Sequence, residues 1–516
     1  MTDDAQDPES GAPGGPGNLL AILQAIGFVV IAVIPAFLTG ALAVGMRADL
    51  RFGPAALGLG VSWFFVTASV SATPMGQLVE RLGTRRSLMV GATASGMALL
   101  TISLAPSFPW ILAGMTAGGI GNAITQPAVN ASLSRRIPLA RLGLAFGVKQ
   151  SAIPMATLLG GLAVPTLAVL LGWRGAFGVA TGAAAMAVVV AWRGGDAGGG
   201  TPVRPTRRRV RDMPEVRSLA ILGVGGLLGA AAATSLGVFL VDAAVVGGMQ
   251  EARAGLLFAL VSACGLVARV TLGWYADVRP ARSRYGTIAV LLSIGAPGYV
   301  LLTLGSTPLY LVGAFFAYGA GWAWPGLFHF AVVSQNPVSP AAATGVVQTG
   351  MSLGAGLGPL VFGWVAERAG YETAWFVAAA LSLASAAVLL AGRAHLRRTR
   401  RTASAAHLDE VEALVWDEAP SQRVTTGVAM QQRVTDNLRV ILYRADSGAA
   451  FDPPPATRTG VVFVVFGGEV HLRIAGVERI AATGDYVPLP ANRPWSLCNR
   501  GSGTLMVAHV DHPGNS

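Results

Sequence analysis

The stretch GQLVERLGTRR, Gly76 to Arg86, and its weaker copy GWYADVRPARSR, Gly273 to Arg284, decide the architecture that this sequence predicts. Each stretch follows a long apolar run and places a glycine, a carboxylate and several arginines at its end. The residues concerned are Gly76, Glu80, Arg81, Gly83, Arg85 and Arg86 in the first copy, and Gly273 and Asp277 in the second. Because arginine suits the partly negative carboxyl end of a helix, the pattern predicts two related helix ends.

The bulk composition is typical of a membrane protein. The 516 residues are 53% hydrophobic and only 12% charged, whereas soluble proteins carry about 25% charged residues. The net charge of +11 lies in arginine clusters between apolar runs, which the positive-inside rule explains better than nucleic-acid binding does. The two cysteines, Cys264 and Cys498, are too few and too far apart for a disulfide framework or a cysteine metal site.

Twelve apolar runs are long enough to cross a bilayer, which takes about 20 residues per helix. Their approximate limits are 18–46, 54–78, 87–106, 109–132, 142–171, 173–192, 217–246, 253–275, 285–304, 307–334, 340–365 and 371–392. Basic residues are rare after odd-numbered runs and frequent after even-numbered ones, except after the tenth. This asymmetry predicts a multi-pass protein of the cytoplasmic membrane with both termini in the cytoplasm.

The apolar runs divide into two similar halves around a flexible, basic linker at 193–216. Three pairs of landmarks recur at an offset of 197 or 198 residues, namely Gly76 and Gly273, Pro127 and Pro325, and GVKQS from Gly147 and GVVQT from Gly345. Such a repeat predicts a duplication, with six helices in 18–192 and six in 217–395. Residues 1–17 are acidic and rich in Gly and Pro, which predicts a disordered cytoplasmic tail.

The first motif resembles the loop between helices two and three of the major facilitator superfamily, and the second resembles that family's repeat of the loop between helices eight and nine. The first copy carries Glu80 where Asp is usual, and the second keeps Asp277 without the following glycine. The resemblance implies two six-helix bundles, a central substrate site and alternating access driven by a proton or solute gradient. Gly- and Pro-rich stretches in the fifth and eleventh runs resemble the family's fifth-helix motif, but their spacing leaves the direction of transport open.

Two interpretations of the first motif stay open. Glu80 can pair with an arginine across the seam between the halves and hold one conformation closed, so that the motif is a gate. Alternatively, the arginines only fix the topology of the chain. The internal copy at Gly273 favours the gate.

Polar side chains inside the apolar runs are the candidate substrate-binding and coupling residues, because polar groups facing lipid are costly. They are Asn122, Gln126, Asn130, Lys149, Gln150, Asp242, Arg269, His329 and Gln348. Asn122, Gln126 and Asn130 form one helical stripe, which fits a substrate lining or a helix–helix hydrogen-bond seam equally well. Asp242 and His329 are candidate proton relays, or else residues satisfied at the interface and within the bundle.

Lys149 and Arg269 are candidates for an anion site, although each has a simpler interpretation. Lys149 can extend to the membrane surface, and Arg269 can pair with Asp277, about two turns further on. Together they favour an anionic substrate. No Walker motif is present in the sequence, so ATP hydrolysis is not expected.

The last part of the chain changes character. A basic, partly helical connector at 396–431 precedes alternating β patterns at 432–516. The order GGEVHLRIAGVERIAATGDYVPLPANRPWSLCN resembles a cupin barrel, a family in which barrels often dimerise. Cupin metal ligands are missing: FDPPPATRTGV at Phe451 to Val461 has no His or Glu, and Trp495 stands where the second-motif histidine is expected. His471, His509 and His512 lie elsewhere, so a metal-free binding or regulatory module, or a purely structural tail, is expected.

The sequence therefore predicts an all-α membrane protein of twelve helices with a small all-β domain, and not an enzyme. The predicted function is secondary active transport of a small organic solute, with an organic anion among the candidates. The predicted partners are the bilayer, the solute, a small ligand on the cupin-like domain and a second copy bound through that domain, with no cofactor. Alternatives are a transporter-derived membrane sensor, a drug-efflux exporter and a membrane-anchored cupin enzyme.

Overall fold

The computed structural model divides the chain into two compact units, Met1–Ala394 and His395–Ser516. It describes residues 16–134, 148–193, 216–278, 284–304, 307–336, 340–415, 422–434, 439–453, 460–466, 469–482, 486–489, 492–500 and 505–511. Residues 1–15 of the tail predicted at 1–17, most of the linker at 193–216 and His512 lie outside these residues, while Pro16 and Gly17 begin a helix.

The first unit is helical. Its elements are α1 Pro16–Ala41, α2 Ala43–Leu50, α3 Pro54–Ser103, α4 Phe108–Ser134, α5 Ala152–Ala163, a π-helical turn at Val164–Ala168, α6 Val169–Arg193, α7 Val216–Val246, α8 Glu251–Val278, α9 Arg284–Leu301, α10 Thr307–Gly319, α11 Pro325–Gln335 and α12 Pro340–Val415. The last of these continues to Val415, so the helical part of the predicted connector at 396–431 is the end of α12.

Six segments of the described chain are long and apolar enough to cross a membrane: Leu23–Ala41, Pro54–Ser103, Val148–Arg193, Val216–Val246, Glu251–Ala276 and Ala343–Thr399. The second, third and sixth have 50, 46 and 57 residues, enough for two crossings each at about 20 residues per crossing. Three further predicted spans are helical but are not among these six segments. They are the fourth, ninth and tenth spans, which correspond to α4, to α9 and to the pair α10–α11. The chain is therefore a multi-pass membrane protein, and the count of twelve spans stays a prediction.

Three long helices turn a corner at a glycine. Gly83 in α3, Gly172 in α6 and Gly370 in α12 have φ of 77°, 68° and 83°. Residues with a Cβ rarely adopt this left-handed backbone conformation. Glycine therefore allows the chain to turn sharply from one helical run into the next. The corner at Gly83 lies inside the first motif, which explains why a glycine stands there.

Glycines spaced four residues apart join α12 to α7. A Cβ at Gly350, Gly354 or Gly358 would lie 2.1, 2.0 or 2.3 Å from backbone carbonyl oxygens of Gly223, Leu227 and Ala231. Small residues at this spacing let two helix backbones approach closely in a membrane. The glycine-rich eleventh run is thus a packing surface.

The predicted tenth span is wrong as a continuous helix. The apolar pattern predicts one run at 307–334, but α10 ends at Gly319 and α11 begins at Pro325, with turns at 320–324 between them. Pro325 lacks a backbone N–H and clashes with a preceding helical turn, so it starts a new helix more readily than it continues one. The break frees backbone groups in the middle of the bundle.

The second unit is a two-sheet β structure. Its strands are β1 Gln422–Thr425, β2 Val428–Val434, β3 Arg439–Ala445, β4 Ala450–Phe451, β5 Gly460–Phe466, β6 Glu469–Ile474, β7 Val477–Ala482, β8 Tyr486–Leu489, β9 Trp495–Asn499 and β10 Leu505–Asp511. The paired strands are antiparallel, in the orders β1-β2-β3-β10-β5-β8 and β4-β9-β6-β7. Inward-facing residues of both sheets, such as Tyr443 and Trp495, form one apolar core. The β pattern begins at Gln422, ten residues before the predicted Gln432.

Candidate functional site

Five of the predicted polar residues gather at the seam between the two halves. Lys149 and Gln150 come just before α5 in the first half, and Arg269 lies in α8 of the second half. His329 in α11 and Gln348 in α12 complete this central cluster. The sequence pairs Gln150 with Gln348 through the repeat, and the structure places both beside His329.

Arg269 is a buried cation held by backbone carbonyls. It is 2% exposed, and its Nε and Nη2 donate to the carbonyl oxygen of Trp322 at 3.1 and 2.7 Å. Its Nη1 donates to the carbonyl oxygen of Gln150 in the other half. The expected pairing with Asp277 falls on a side chain outside the described ones, so it stays untested.

The break in the tenth span creates the main acceptor for Arg269. Trp322 lies between α10 and α11, where its carbonyl is not used by a helical hydrogen bond. Its ring also lies under the guanidinium, at 5.5 Å from the ring centroid. Discontinuous membrane helices commonly build transporter binding sites, because their free backbone groups and helix ends face the cavity. The stretch GAGWAWPG at 319–326 carried this signal in its three glycines and its proline.

His329 is 5% exposed and linked to both halves. Its Nδ1 lies 2.8 Å from the carbonyl oxygen of Pro325 and 3.4 Å from Nε2 of Gln150. Its Nε2 lies 2.8 Å from Oε1 of Gln348, and Nε2 of Gln348 donates to the hydroxyl of Ser352 at 3.1 Å.

Lys149 adds a second positive charge to the central cluster. It is partly buried and lies close enough to His329 for the two side chains to interact electrostatically. Among the described residues, no carboxylate lies within ion-pair distance of Lys149 or Arg269. The cluster therefore holds two cationic groups whose charge the described part of the protein leaves uncompensated.

Aromatic side chains cover the central cluster on one side. Trp322 packs against Phe37 of α1 at a centroid distance of 5.8 Å and against Tyr318 of α10 at 4.8 Å. The hydroxyl groups of Tyr318 and Thr157 are 2.5 Å apart, which joins α10 to α5 across the seam. A Cβ at Gly237 would lie 2.5 Å from the Trp322 ring, so this glycine makes room for the aromatic layer.

The two ends of the helical unit differ in how the halves meet. We call the end that carries Gly76–Arg86 the motif end and the other the opposite end. At the opposite end, Arg47 of α2 forms an ion pair with Asp242 of α7, which also accepts a hydrogen bond from Tyr371. Asp242 is 2% exposed, and these partners, far away in sequence, were not predicted. A cavity of about 390 Å³ lies beside this ion pair, lined by Val44, Arg47, Ala48, Arg51, Phe52, Asp242, Val245 and Val246.

A second contact across the opposite end caps a helix. Oε2 of Glu367, from α12 in the second half, accepts a hydrogen bond from the backbone N–H of Ala55 at 2.8 Å. Ala55 lies in the first turn of α3, where free N–H groups and the helix dipole favour a carboxylate. The second half thus supplies the cap for a helix of the first half.

Helices α3 and α12 diverge toward the motif end. Three glycines on one face of α12 show this, because residues seven and eleven apart align on a helix. A Cβ at Gly363 would lie 2.4 Å from the carbonyl oxygen of Pro54, and one at Gly356 would lie 3.6 Å from Val66. A Cβ at Gly345 would meet nothing within 4 Å. The halves are therefore closed together at the opposite end and apart along this face at the motif end.

The first motif is largely exposed, and its Arg85 caps a helix of the same half. Arg85 donates to the backbone carbonyls of Ala191 (3.3 Å) and Trp192, at the carboxyl end of α6, where a cation is favourable. Glu80 and Arg81 are exposed, and among the described residues Glu80 has no arginine partner. The expected pairing of Glu80 across the seam is absent from the described contacts of this conformation, whose halves are apart at that end.

The asparagine–glutamine stripe in α4 forms a local hydrogen bond. Nε2 of Gln126 donates to Oδ1 of Asn122 at 3.2 Å, as their i, i+4 spacing allows. Asn130 is exposed. None of the three is hydrogen-bonded to a residue of the central cluster among the described contacts, so their predicted substrate-lining role stays a prediction.

The β unit shows no cluster of three metal-ligating side chains among its described residues. Nδ1 of His471 lies 3.1 Å from Oε1 of Glu478 on the neighbouring strand. This hydrogen bond and the nearby Arg500 lower the pKa of the Glu478 carboxyl despite some desolvation. His509 is buried, and its ring centroid lies 5.4 Å from that of Trp495.

Comparisons with known proteins place this geometry in context. A family model described as Major Facilitator Superfamily matches residues 20–339. A probable multidrug-efflux transporter of Mycobacterium tuberculosis is 31% identical over 169 residues, which are 32% of this chain and 35% of that protein. The matching part thus spans only about a third of that relative's length.

Two further proteins match over longer stretches. The transcription regulatory protein OpdE of Pseudomonas aeruginosa is 25% identical over 417 residues, which are 75% of this chain and 96% of that protein. The crystal structure of a bacterial homolog to the human lysosomal transporter Spinster, in an inward-facing and occupied conformation, matches with a TM-score of 0.55. The match is 17% identical and covers 75% of this chain and 98% of that one, so it shows a shared fold.

Proposed function

Because the chain belongs to the major facilitator superfamily, a family of transporters and not of enzymes, we propose that it carries a small organic anion across the cytoplasmic membrane. Transport proceeds by alternating access to the central cluster, driven by a proton or solute gradient. The observation that carries this proposal is the pair of cations, Lys149 and Arg269, at the seam between the halves.

Uncompensated charge explains why an anion is the substrate class. A charged side chain inside a membrane protein is costly and normally has a partner. Arg269 makes three hydrogen bonds to two carbonyl oxygens, out of five N–H donors. The remaining donors and the Lys149 ammonium group offer a carboxylate the charge and hydrogen bonds that it loses on leaving water.

The contacts at the two ends support alternating access. The Arg47–Asp242–Tyr371 contact and the Glu367 cap close the opposite end, while α3 and α12 diverge at the motif end. With both termini in the cytoplasm, as the positive-inside rule predicts, this is a conformation open to the cytoplasm. The exposed Glu80 and the arginines of the first motif are then the groups that meet when the motif end closes.

A thermal-stability screen of the purified full-length protein tests the proposal. A ligand that binds only the folded state stabilises it by about 2.7 kcal/mol at a hundredfold excess over its Kd. We expect acetate, lactate, succinate or benzoate to raise the melting temperature, and matched amines to leave it unchanged. The rise should disappear in Arg269→Gln and remain in Arg253→Gln, because Arg253 is exposed and lies outside the cluster. A rise that persists in Arg269→Gln would contradict the proposed site.

A second function is favoured by the separate β unit. The chain divides into two compact units, and the relative OpdE, which matches over most of its length, is named a transcription regulatory protein. A membrane sensor, in which a small ligand binds the cupin-like β unit, has the same architecture. Flux through the full-length chain and through residues 1–401 distinguishes the two, because a transporter keeps its flux after truncation, whereas a sensor carries none in either form.

The direction of transport that we propose comes from the name of a relative. The relative from Mycobacterium tuberculosis is named a multidrug-efflux transporter, which favours export. The anion-binding cluster itself serves either direction, because alternating access is reversible. A drug-efflux exporter therefore remains the alternative for this same site.

A further inference from the structure

We propose that His329 takes up a proton when the anion binds, so that proton and anion cross the membrane together. This inference rests on the proposed function, because the bound anion is the partner of the protonated histidine. It adds the coupling ion, the residue that binds it and the reason why the two bind together.

His329 lies between two repeat-related glutamines but has no counterpart of its own in the repeat. Gln150 and Gln348 occupy equivalent places in GVKQS and GVVQT, 198 residues apart, and the structure brings both amides to the same imidazole. The residue 198 positions before His329 is Ala131, so the histidine has no counterpart in the first half. A titratable ring therefore stands where the two equivalent glutamines converge, one from each half.

The hydrogen bonds around His329 suit two protonation states. A neutral imidazole has one donor and one acceptor, whereas the protonated ring has two donors. In the structure, oxygen atoms of Pro325 and Gln348 lie 2.8 Å from Nδ1 and Nε2, which is the arrangement that the protonated ring needs.

The neutral ring fits the same surroundings after one amide reverses. If the Gln348 amide turns end for end, its NH₂ group donates to Nε2 of the histidine and its oxygen accepts from the Ser352 hydroxyl. Ser352 is already within 3.1 Å of the amide, and a hydroxyl can donate or accept. The amide orientation is itself an assignment from the hydrogen-bond network, so the contact between Nε2 of His329 and Gln348 can be satisfied in both states.

The charges that face His329 decide when the proton binds. Lys149 approaches from the segment before α5, and Arg269 of α8 lies behind Gln150, whose carbonyl oxygen it binds. The facing groups of α12, Gln348 and Ser352, are neutral. A proton on His329 would thus be the third positive charge of an empty cluster, which is unfavourable in a poorly solvated site.

A bound carboxylate reverses this balance, because it offsets one positive charge beside the ring. The proton and the anion therefore favour each other's binding, and thermodynamic linkage makes this effect reciprocal. Since the empty site releases the proton, anion affinity falls as the pH rises. The expected decrease is up to about tenfold per pH unit once the free histidine is neutral.

Proton uptake on anion binding tests the inference directly. Acetate, lactate, succinate and benzoate are each mixed with the full-length protein in weakly buffered detergent solution at about pH 7.5, where their carboxyl groups are ionised. For those that raise the melting temperature, we expect uptake of about one proton per bound anion. His329→Gln should abolish the uptake and the pH dependence of binding, while His471→Gln, on the β unit, should retain both.

The other outcomes would overturn either the role of His329 or the proposed function as a whole. Anions that stabilise the protein without proton uptake would overturn the role of His329 and leave the anion site intact. Unchanged uptake in His329→Gln would assign the proton to another group and equally overturn it. If none of the four anions stabilises the protein, the proposed function fails, and this inference fails with it. The wild-type measurement needs no substitution, so a poorly folding variant does not prevent the test.

Discussion

Arg269 is the residue on which the central cluster depends. It bridges the break in the tenth span and the first half through hydrogen bonds to the carbonyl oxygens of Trp322 and Gln150. A lysine could not make the same contacts, because its ammonium group lacks the planar fork that reaches two carbonyls at once. The charge of Arg269 and its location in an apolar run were predictable from sequence, but its carbonyl partners were not, since they depend on a backbone break.

Asp242 illustrates the limit of sequence reasoning at this scale. Its place near the end of an apolar run indicated a polar role, but the sequence left both a proton relay and a position at the interface open. The structure pairs it with Arg47 and Tyr371, residues 195 and 129 positions away. Nothing in the local pattern identifies such distant partners, because they meet only after both halves have packed together.

The pairing of Asp242 gives a prediction at the residue scale. Asp242→Asn removes the charge that holds Arg47 and Tyr371, and we expect a loss of about 1–3 kcal/mol of stability. The melting temperature of the purified protein measures it. The control is Glu372→Gln, because Glu372 is exposed and close in sequence to Tyr371. Equal melting temperatures for the two variants would show that this ion pair does not hold the opposite end closed.

At the scale of elements, glycine determines how closely the helices pack. The dense glycines of the eleventh run were predicted to let helices approach, and Gly350, Gly354 and Gly358 do so against α7. The positive-φ corners at Gly83, Gly172 and Gly370 were not predicted, because a helix-to-helix corner without a polar loop leaves little signal in composition. The break at 320–324 was not predicted although its glycines and its proline are a signal for one, because the strong apolar pattern around them is typical of a continuous helix.

Gly58 lets α3 of the first half approach α12 of the second half closely. A Cβ at Gly58 in α3 would lie 2.2 Å from the carbonyl oxygen of Pro359 in α12, across the two halves. Gly58→Ala should therefore force α3 and α12 apart at the opposite end, at a cost of about 1–3 kcal/mol. We expect a lower melting temperature and slower flux in proteoliposomes.

Gly27 provides the matched control for Gly58. A Cβ at Gly27 in α1 would meet nothing within 4 Å, and alanine favours a helix over glycine by about 1 kcal/mol. Gly27→Ala should keep or raise the melting temperature. A Gly58→Ala variant that behaves like Gly27→Ala would show that the close approach of α3 and α12 is not needed for closure.

At the scale of the whole molecule, hydropathy and the repeat were enough to predict a mostly helical transporter fold, while the twelve spans and the cupin barrel stay predictions. The offset of 198 residues relates Gln150 to Gln348 in the sequence, and both amides lie beside His329 in the structure. The sequence also separated the helical part from a β-rich end, which the structure shows as two antiparallel sheets with one core. Which end of the helical unit is closed could not be predicted, because two conformations of a transporter share one sequence.

The positive charge of the central cluster makes it an anion site, and flux in proteoliposomes tests this directly. Uptake of the carboxylate that stabilises the protein most in the screen is measured for the wild type, Arg269→Gln and Arg253→Gln at matched protein density. We predict saturable uptake in the wild type and in Arg253→Gln, and a loss of at least about tenfold in Arg269→Gln, the equivalent of about 1.4 kcal/mol of binding free energy. Uptake that is unchanged in Arg269→Gln would contradict an anion site at the seam between the halves.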